Sequence, residues 1–181
     1  MKLVYEKLIE QEDLQKATAG SAAFDLKGFT ETGKEVALFP SQSVVLKTGV
    51  KFDIPEGYVL KIFSRSGLGF KCDVTLSNSV GIVDSDFKKE VQLKLVNNGV
   101  EVLYVKNGMR VAQGILEKLQ DYTLEVGKVE DTTDRGGFGS TGTGKIGTVK
   151  ETTPSPKRKN SKKPKKEDTV EVVEEVEETK E

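Results

Sequence analysis

Asp84 and Asp86 flank Ser85 at the end of an apolar stretch, VGIVDSDF, with Asn78 six residues upstream and Phe87 immediately after. An isolated Asp-Ser-Asp is most simply a turn with two solvated carboxylates. Here the neighbours add chemistry. A carboxylate within hydrogen-bond reach of a water can act as a general base. A carboxamide such as Asn78 offers a donor and an acceptor to the edge of a planar base. Phe87 offers a flat face. The composition sharpens this reading. The 181 residues include no histidine and one cysteine, Cys72. That excludes Ser–His and Cys–His pairs, an intrachain disulfide and any histidine or multi-cysteine metal site. Proton transfer then falls to a carboxylate, Lys, Tyr or water, and a metal would be a hard ion held by oxygens, such as Mg²⁺.

Four other segments stand out from plain core or loop: Gly20–Leu26 (GSAAFDL), Ser64–Gly69 (SRSGLG), Arg110–Gln113 (RVAQ) and Arg135–Gly142 (RGGFGSTG). Arg65 and Ser66 could meet an anion, and Gly67 would let backbone come close to it. Residues 139–145, GSTGTGK, have the glycine and lysine spacing of a phosphate loop, but Ile146 stands where Ser or Thr is required. No helix-forming sequence follows, so a P-loop is rejected. A glycine-rich segment can still wrap phosphates with backbone N–H groups.

The elements that must carry these residues read as strands. KLVYEKL (2–8), SVVLKTGVKFDI (43–54), YVLKIF (58–63), EVQLKLV (90–96), EVLYVK (101–106) and RVAQGILEKL (110–119) are rich in aliphatic and aromatic residues. In EVQLKLV, Val91, Leu93 and Leu95 fall on one face and Gln92 and Lys94 on the other, the period of a half-buried strand. PEG (55–57), NNG (97–99) and KNG (106–108) are turn sequences between them. Only EQEDLQKA (10–17) reads as helical. The expected fold is all-β, a jelly-roll-like barrel of short antiparallel strands.

Composition changes near residue 150. Residues 157–166, KRKNSKKPKK, hold seven basic residues, and residues 167–181 hold eight acidic ones with four valines as the only aliphatics. Such a segment cannot bury a core and is expected to be disordered. Residues 1–149 are expected to form the domain, with 134–144 as a mobile arm and 150–181 as the tail. Residues 1–149 carry 19 basic and 20 acidic residues. A near-neutral body of this kind argues against nucleic-acid binding, apart from weak contact through the basic run. No apolar run reaches the length of a membrane helix and no signal-peptide core follows Met1. A soluble, reducing, cytoplasmic setting is expected, or the nucleus if the basic run acts as an import signal.

Taken together and in order, the five segments resemble the five motifs of trimeric dUTPases, over roughly residues 17–142. The resemblance implies a β-clip fold, a homotrimer with shared active sites, and Mg²⁺-dependent hydrolysis of dUTP to dUMP and pyrophosphate. That reaction lowers dUTP and supplies dUMP for dTMP synthesis, in a cellular or a viral setting (the host cytoplasm in the latter). The resemblance makes Asp84 the general base. It has Asn78 and the backbone of Ile82 and Val83 read uracil, Gln92 contact the base through its main chain, and Phe87 stack under deoxyribose. Arg65, Ser66 and Gly67 meet the phosphates, with Ser66 on the oxygen bridging the α- and β-phosphorus. Gln113 contacts the α-phosphate, and Asp25 orients water in the outer shell of Mg²⁺. Arg135 binds the γ-phosphate and Phe138 stacks on uracil, while Gly139, Ser140 and Thr141 close on the phosphates. Arg110 reads as a structural ion-pair partner.

Two features depart from the pattern. The family usually has Tyr where Phe87 stands, and it usually places two more residues between the arginine and GGFG of the fifth motif. Two alternatives remain. A dCTP deaminase shares the fold, but usually carries an RSS-type second motif where this chain has RSGL. A regulatory binding protein on an inactive dUTPase scaffold is favoured only by the shortened fifth motif.

Overall fold

The computed structural model describes residues 1–130, and the fold is that of the compact unit Met1–Val126. In chain order the elements are β1 (Val4–Lys7), β2 (Phe24–Gly28), β3 (Val36–Leu38), β4 (Ser43–Lys47), β5 (Val50–Asp53), β6 (Tyr58–Ser64), α1 (Ser66–Cys72), β7 (Val74–Leu76), β8 (Val80–Val83), β9 (Gln92–Asn97), β10 (Leu103–Val105) and β11 (Met109–Lys118). The strands form four sheets: β1-β5, β10-β3, β2-β11-β6-β8 and β4-β9-β7. Every pairing is antiparallel. The alternation in the sequence decides which face turns inward. In β9, Leu93 and Leu95 are buried while Gln92 and Lys94 are exposed. Leu26, Leu46, Val50, Leu60 and Val105 have no exposed surface and join Ile62, Leu95 and Val111 in one core. Burying a side chain of this size contributes about 1.5–3 kcal/mol.

Each strand expected from sequence is present, with bounds shifted by one to a few residues. The stretch 43–54 is two strands, because Gly49 takes φ +66° and turns the chain. The helix expected over 10–17 is absent. Only Leu14 packs against the core there, and Lys16 instead makes an isolated bridge to Phe24. The polar side chains are used outside the segment: Lys7 binds Asp13 at 2.9 Å, Lys27 binds Glu12 at 2.7 Å, and Gln11 Nε2 donates to the Thr48 carbonyl at 2.9 Å. A stretch this short gains too little from helical hydrogen bonds to outweigh such contacts. The helix that does form, α1, was not foreseen. Gly67 and Gly69 lie within it and no side chain caps its N-terminus. Its stability comes from Leu68, which is buried, and from Asp73, whose left-handed backbone ends the helix and donates its N–H to the Gly69 carbonyl.

Two polar side chains lie in the core. Asn97 donates to the carbonyls of Leu38 and Glu101 at 2.9 and 2.8 Å and accepts from Gly99 N at 2.9 Å. The Thr48 hydroxyl donates to the Val91 carbonyl at 2.7 Å. Both therefore fasten turns to strands instead of leaving orphaned groups.

Candidate active site

β6 is the strand on which the site is built. It pairs with β11 on one side and β8 on the other. The registers align Asp25 of β2, Gln113 of β11, Phe63 of β6 and Val80 of β8 in one row across the sheet. Three interstrand spacings separate the ends of that row, ~14 Å. At one end, β8 delivers the chain to Asp84. At the other, β2 presents Asp25, and the exit of β6 leads into Arg65 and Ser66.

Two cavities flank the row. The first, about 350 Å³, is lined by Asn78, Ile82, Val83, Asp84, Phe87 and Gln92 over a floor that includes Ile62 and Leu76. The apolar side chains Ile82 and Phe87 are 57% and 40% exposed at this cavity. A planar ring seated there would cover them. Phe87 N donates to the Asp84 carbonyl at 3.2 Å, closing a turn that sets the carboxylate and the ring on one short loop. At the entry, Asn78 is followed by Ser79 in the left-handed region at φ +61°, which reverses the chain into β8. Gly81 belongs to this wall as well. A Cβ there would come to 3.2 Å from Ile62 Cβ and 3.8 Å from Asn78 Nδ2. Neither Gly81 nor Lys94, which also lines the cavity, stood out as a site residue in the sequence. A glycine within an apolar strand reads as backbone, and Lys94 reads as the solvent face of β9.

The second cavity, about 490 Å³, gathers Asp25, Arg65, Ser66, Gly67 and Gln113 beside Ser21 and Ala22. Arg65, Ser66, Gln113 and the backbone of Gly67 offer donors suited to phosphate oxygens, whereas the Asp25 carboxylate only accepts. Arg65 is held from two sides: its Nε lies 2.9 Å from Asp25 Oδ1 and its Nη1 donates to the Arg110 carbonyl at 2.8 Å. Arg110 Nη1 approaches Asp25 Oδ2 at 3.7 Å, so Arg110 is an ion-pair partner. Gln113 Nε2 donates to the Ser64 carbonyl at 2.9 Å. This bond fixes the carboxamide against β6.

The cavities share no lining residue. The chain therefore brings together the expected base-side residues and, separately, the expected phosphate-side residues. Arg135, Phe138, Gly139, Ser140 and Thr141, the 134–144 arm and the 150–181 tail lie outside the described residues. Among the described residues no three acidic or thiol side chains cluster to hold a metal. Asp25 alone offers carboxylate oxygens to the second cavity, with Oδ2 only loosely engaged. That donor set suits a hard ion carried mainly by phosphates and water.

The chain belongs to the dUTPase family, whose model matches residues 10–145. It is 42% identical over 127 residues to a deoxyuridine 5'-triphosphate nucleotidohydrolase of Rhizobium rhizogenes, covering 69% of this chain and 81% of that relative. It is 40% identical over 128 residues to the protein of the same name from Finegoldia magna, covering 70% and 88%. Among solved structures it is similar to the dUTPase of Staphylococcus bacteriophage 80alpha with dUPNHPP. That match has a TM-score of 0.65 at 23% identity and covers 78% of this chain and 98% of that one. It is also similar to a dUTPase of phage phi11 of S. aureus, described with a structural Mg(II) ion, at TM-score 0.59 and 22% identity, covering 72% and 98%.

Proposed function

We propose that this chain hydrolyses dUTP to dUMP and pyrophosphate by attack of water on the α-phosphorus. The observation that carries the reading is the loop 84–87. It sets an acidic group, Asp84, and a flat ring, Phe87, at one cavity that also holds the Asn78 carboxamide. Uracil enters that cavity, with Asn78 and the backbone of Ile82 and Val83 matching its edge and Phe87 beneath the sugar. Gln92 borders the same space. Asp84 takes the proton of the attacking water, as a base does when it lies within hydrogen-bond reach. There is no covalent intermediate.

The triphosphate lies against the Arg65 side. Ser66 donates to the oxygen that becomes the leaving group, stabilising charge as it develops. Gln113 holds the α-phosphate and Gly67 allows close approach of backbone. Mg²⁺, where bound, supplies further neutralisation of the triphosphate, with Asp25 orienting its water shell. A phi11 dUTPase is described with a structural Mg(II) ion, which makes Mg²⁺ the ion to test. From the fifth motif, Arg135 meets the γ-phosphate, Phe138 covers uracil, and Gly139, Ser140 and Thr141 close over the phosphates.

The active assembly is a homotrimer in which a base cavity of one chain meets the phosphate cavity of another. Two observations support it. One chain holds the two halves as separate cavities. Beyond β11, the apolar residues Tyr122, Leu124 and Val126 alternate with Thr123 and Glu125 in sequence and are 78%, 92% and 103% exposed. That is the pattern of a strand awaiting a partner. The product dUMP would feed dTMP synthesis, in the cytoplasm.

The test is product analysis with dUTP, dCTP, dTTP and UTP, each with Mg²⁺, beside Asp84→Asn. Pyrophosphate and dUMP from dUTP alone, lost in the variant, are expected. Ammonia from dCTP would replace this reading with a deaminase. Nucleotide binding without turnover would replace it with a regulatory protein on the same scaffold.

A further inference from the structure

The loop carrying Asp84 and Phe87 enters from β8, whose ladder with β6 fixes its start. Its exit is fixed differently, by contacts to the Thr48–Val50 turn. Gly49 N donates to Glu90 Oε1 at 2.8 Å, in a partly buried setting. Val91 N donates to the Val50 carbonyl at 3.0 Å, and the Val91 carbonyl accepts from Thr48 N at 3.2 Å and from the Thr48 hydroxyl at 2.7 Å. The turn that receives the loop is itself clamped. Gln11 Nε2 donates to the Thr48 and Gly49 carbonyls at 2.9 and 3.2 Å, and Leu8 N donates to the Gly49 carbonyl at 2.7 Å. Gly49 has φ +66°, and a Cβ there would come to 2.4 Å from Ile9 Cγ1. Between entry and exit the loop is tied by its own turn and by the exposed pair of Lys88 with Asp53 at 2.6 Å.

We propose that Glu90 is a positioning residue for the reaction. By accepting the Gly49 N–H, its carboxylate anchors the exit of the loop and so fixes how the Asp84 carboxylate and the Phe87 ring face the cavity. The inference rests on the reading of Asp84 as the base. Its physical basis is leverage. Misplacement of a reacting group by about 1 Å can cost about a hundredfold in rate. The exposed Lys88–Asp53 pair is a weaker tether, since ion pairs in water contribute little. Glu90 lines neither cavity, although its neighbour Val91 lines the first. It therefore acts through the loop and not on the nucleotide.

The full chain and its Glu90→Gln, Glu90→Ala and Asp84→Asn variants are compared for kcat and KM on dUTP, for binding of dUMP and for thermal midpoint. Assays run well below every midpoint. Glutamine keeps an oxygen for Gly49 and alanine does not. The expected result is a kcat at least about tenfold lower in E90A, with E90Q within about threefold of wild type. E90A with kcat and KM at wild-type values overturns the proposal. So does E90Q as impaired as E90A, which would make charge and not the Gly49 bond the operative feature. If E90A does not fold, Glu90→Asp takes its place, since it keeps the charge but stops one methylene short, and the same loss is expected. If the wild-type chain leaves dUTP intact, the reading of Asp84 fails separately. The series is then decided on dUMP binding, where E90A binding as tightly as wild type overturns the anchoring role.

Discussion

Arg65 and Asp25 show how one contact can serve two purposes. The guanidinium reaches Asp25 with Nε and the Arg110 carbonyl with Nη1, and the side chain lines the second cavity. Lysine donates from a single nitrogen and lacks the planar fork that spans Asp25 and the Arg110 carbonyl, so it cannot reproduce this geometry. Arg65→Lys is therefore expected to raise KM for dUTP by about tenfold, the equivalent of one charge-assisted hydrogen bond, with a smaller change in kcat. Steady-state kinetics with saturating Mg²⁺ checks it. Ser79 offers a prediction of the opposite sign. A non-glycine residue in the left-handed region costs about 1–2 kcal/mol, so Ser79→Gly is expected to raise the thermal midpoint while the Asn78 wall keeps its shape. The residue types at 25, 65, 66, 78, 84 and 113 were legible in the sequence because each belongs to an ordered series of motifs. The Arg65–Asp25 contact was not, since a pair distant in sequence meets only through the register of β2, β11 and β6. Gly81 was illegible for a different reason: its contribution is the absence of a side chain.

At the scale of elements, strands were easier to read than the helix. Alternation in EVQLKLV or YVLKIF survives into the structure because one face of each strand must be buried. The segment SGLGFKC carries no comparable period, and its helix depends on Leu68 meeting a core assembled by other elements. The 10–17 stretch failed as a helix because its charges had better partners. Lys7, hydrogen-bonded to Asp13, is raised above the usual lysine range, and Asp13 is lowered by the same bond. Glu12 is lowered by its hydrogen bond to Lys27. The acidic groups contribute at pH above their unfolded values and lose the contribution as pH falls through their depressed ones. The lysine contributes below its unfolded value and loses it as pH rises through the raised one. These groups are exposed, so Asp13→Asn is expected to change the midpoint near neutral pH only slightly, an effect that added salt removes. Asn97 is different. Asn97→Leu would leave two carbonyls and one N–H without partners in the core and is expected to destabilise by about 3 kcal/mol or more. Denaturant melts of the two variants side by side would show the contrast.

At the scale of the whole molecule, the proposed trimer makes quantitative demands. Sedimentation should report three chains, and turnover per chain should fall on dilution below the assembly constant. Removing residues after Lys150 is expected to leave turnover intact, because each of the five motifs precedes that point. Loss of turnover in such a truncation would assign the tail a catalytic role. The division of site residues between two cavities could not be read from the chain, since order in sequence does not say which copy supplies which wall. It carries a genetic consequence. In the proposed trimer, a chain carrying Asp84→Asn and another with its Arg65 side abolished would each be inert alone. Co-expressed, they can pair the sound base cavity of one with the sound phosphate cavity of the other. Two null alleles would thus complement within one assembly, whereas two different nulls in the same cavity would not. The pattern of complementing and non-complementing pairs would map, allele by allele, which residues are contributed by the same copy.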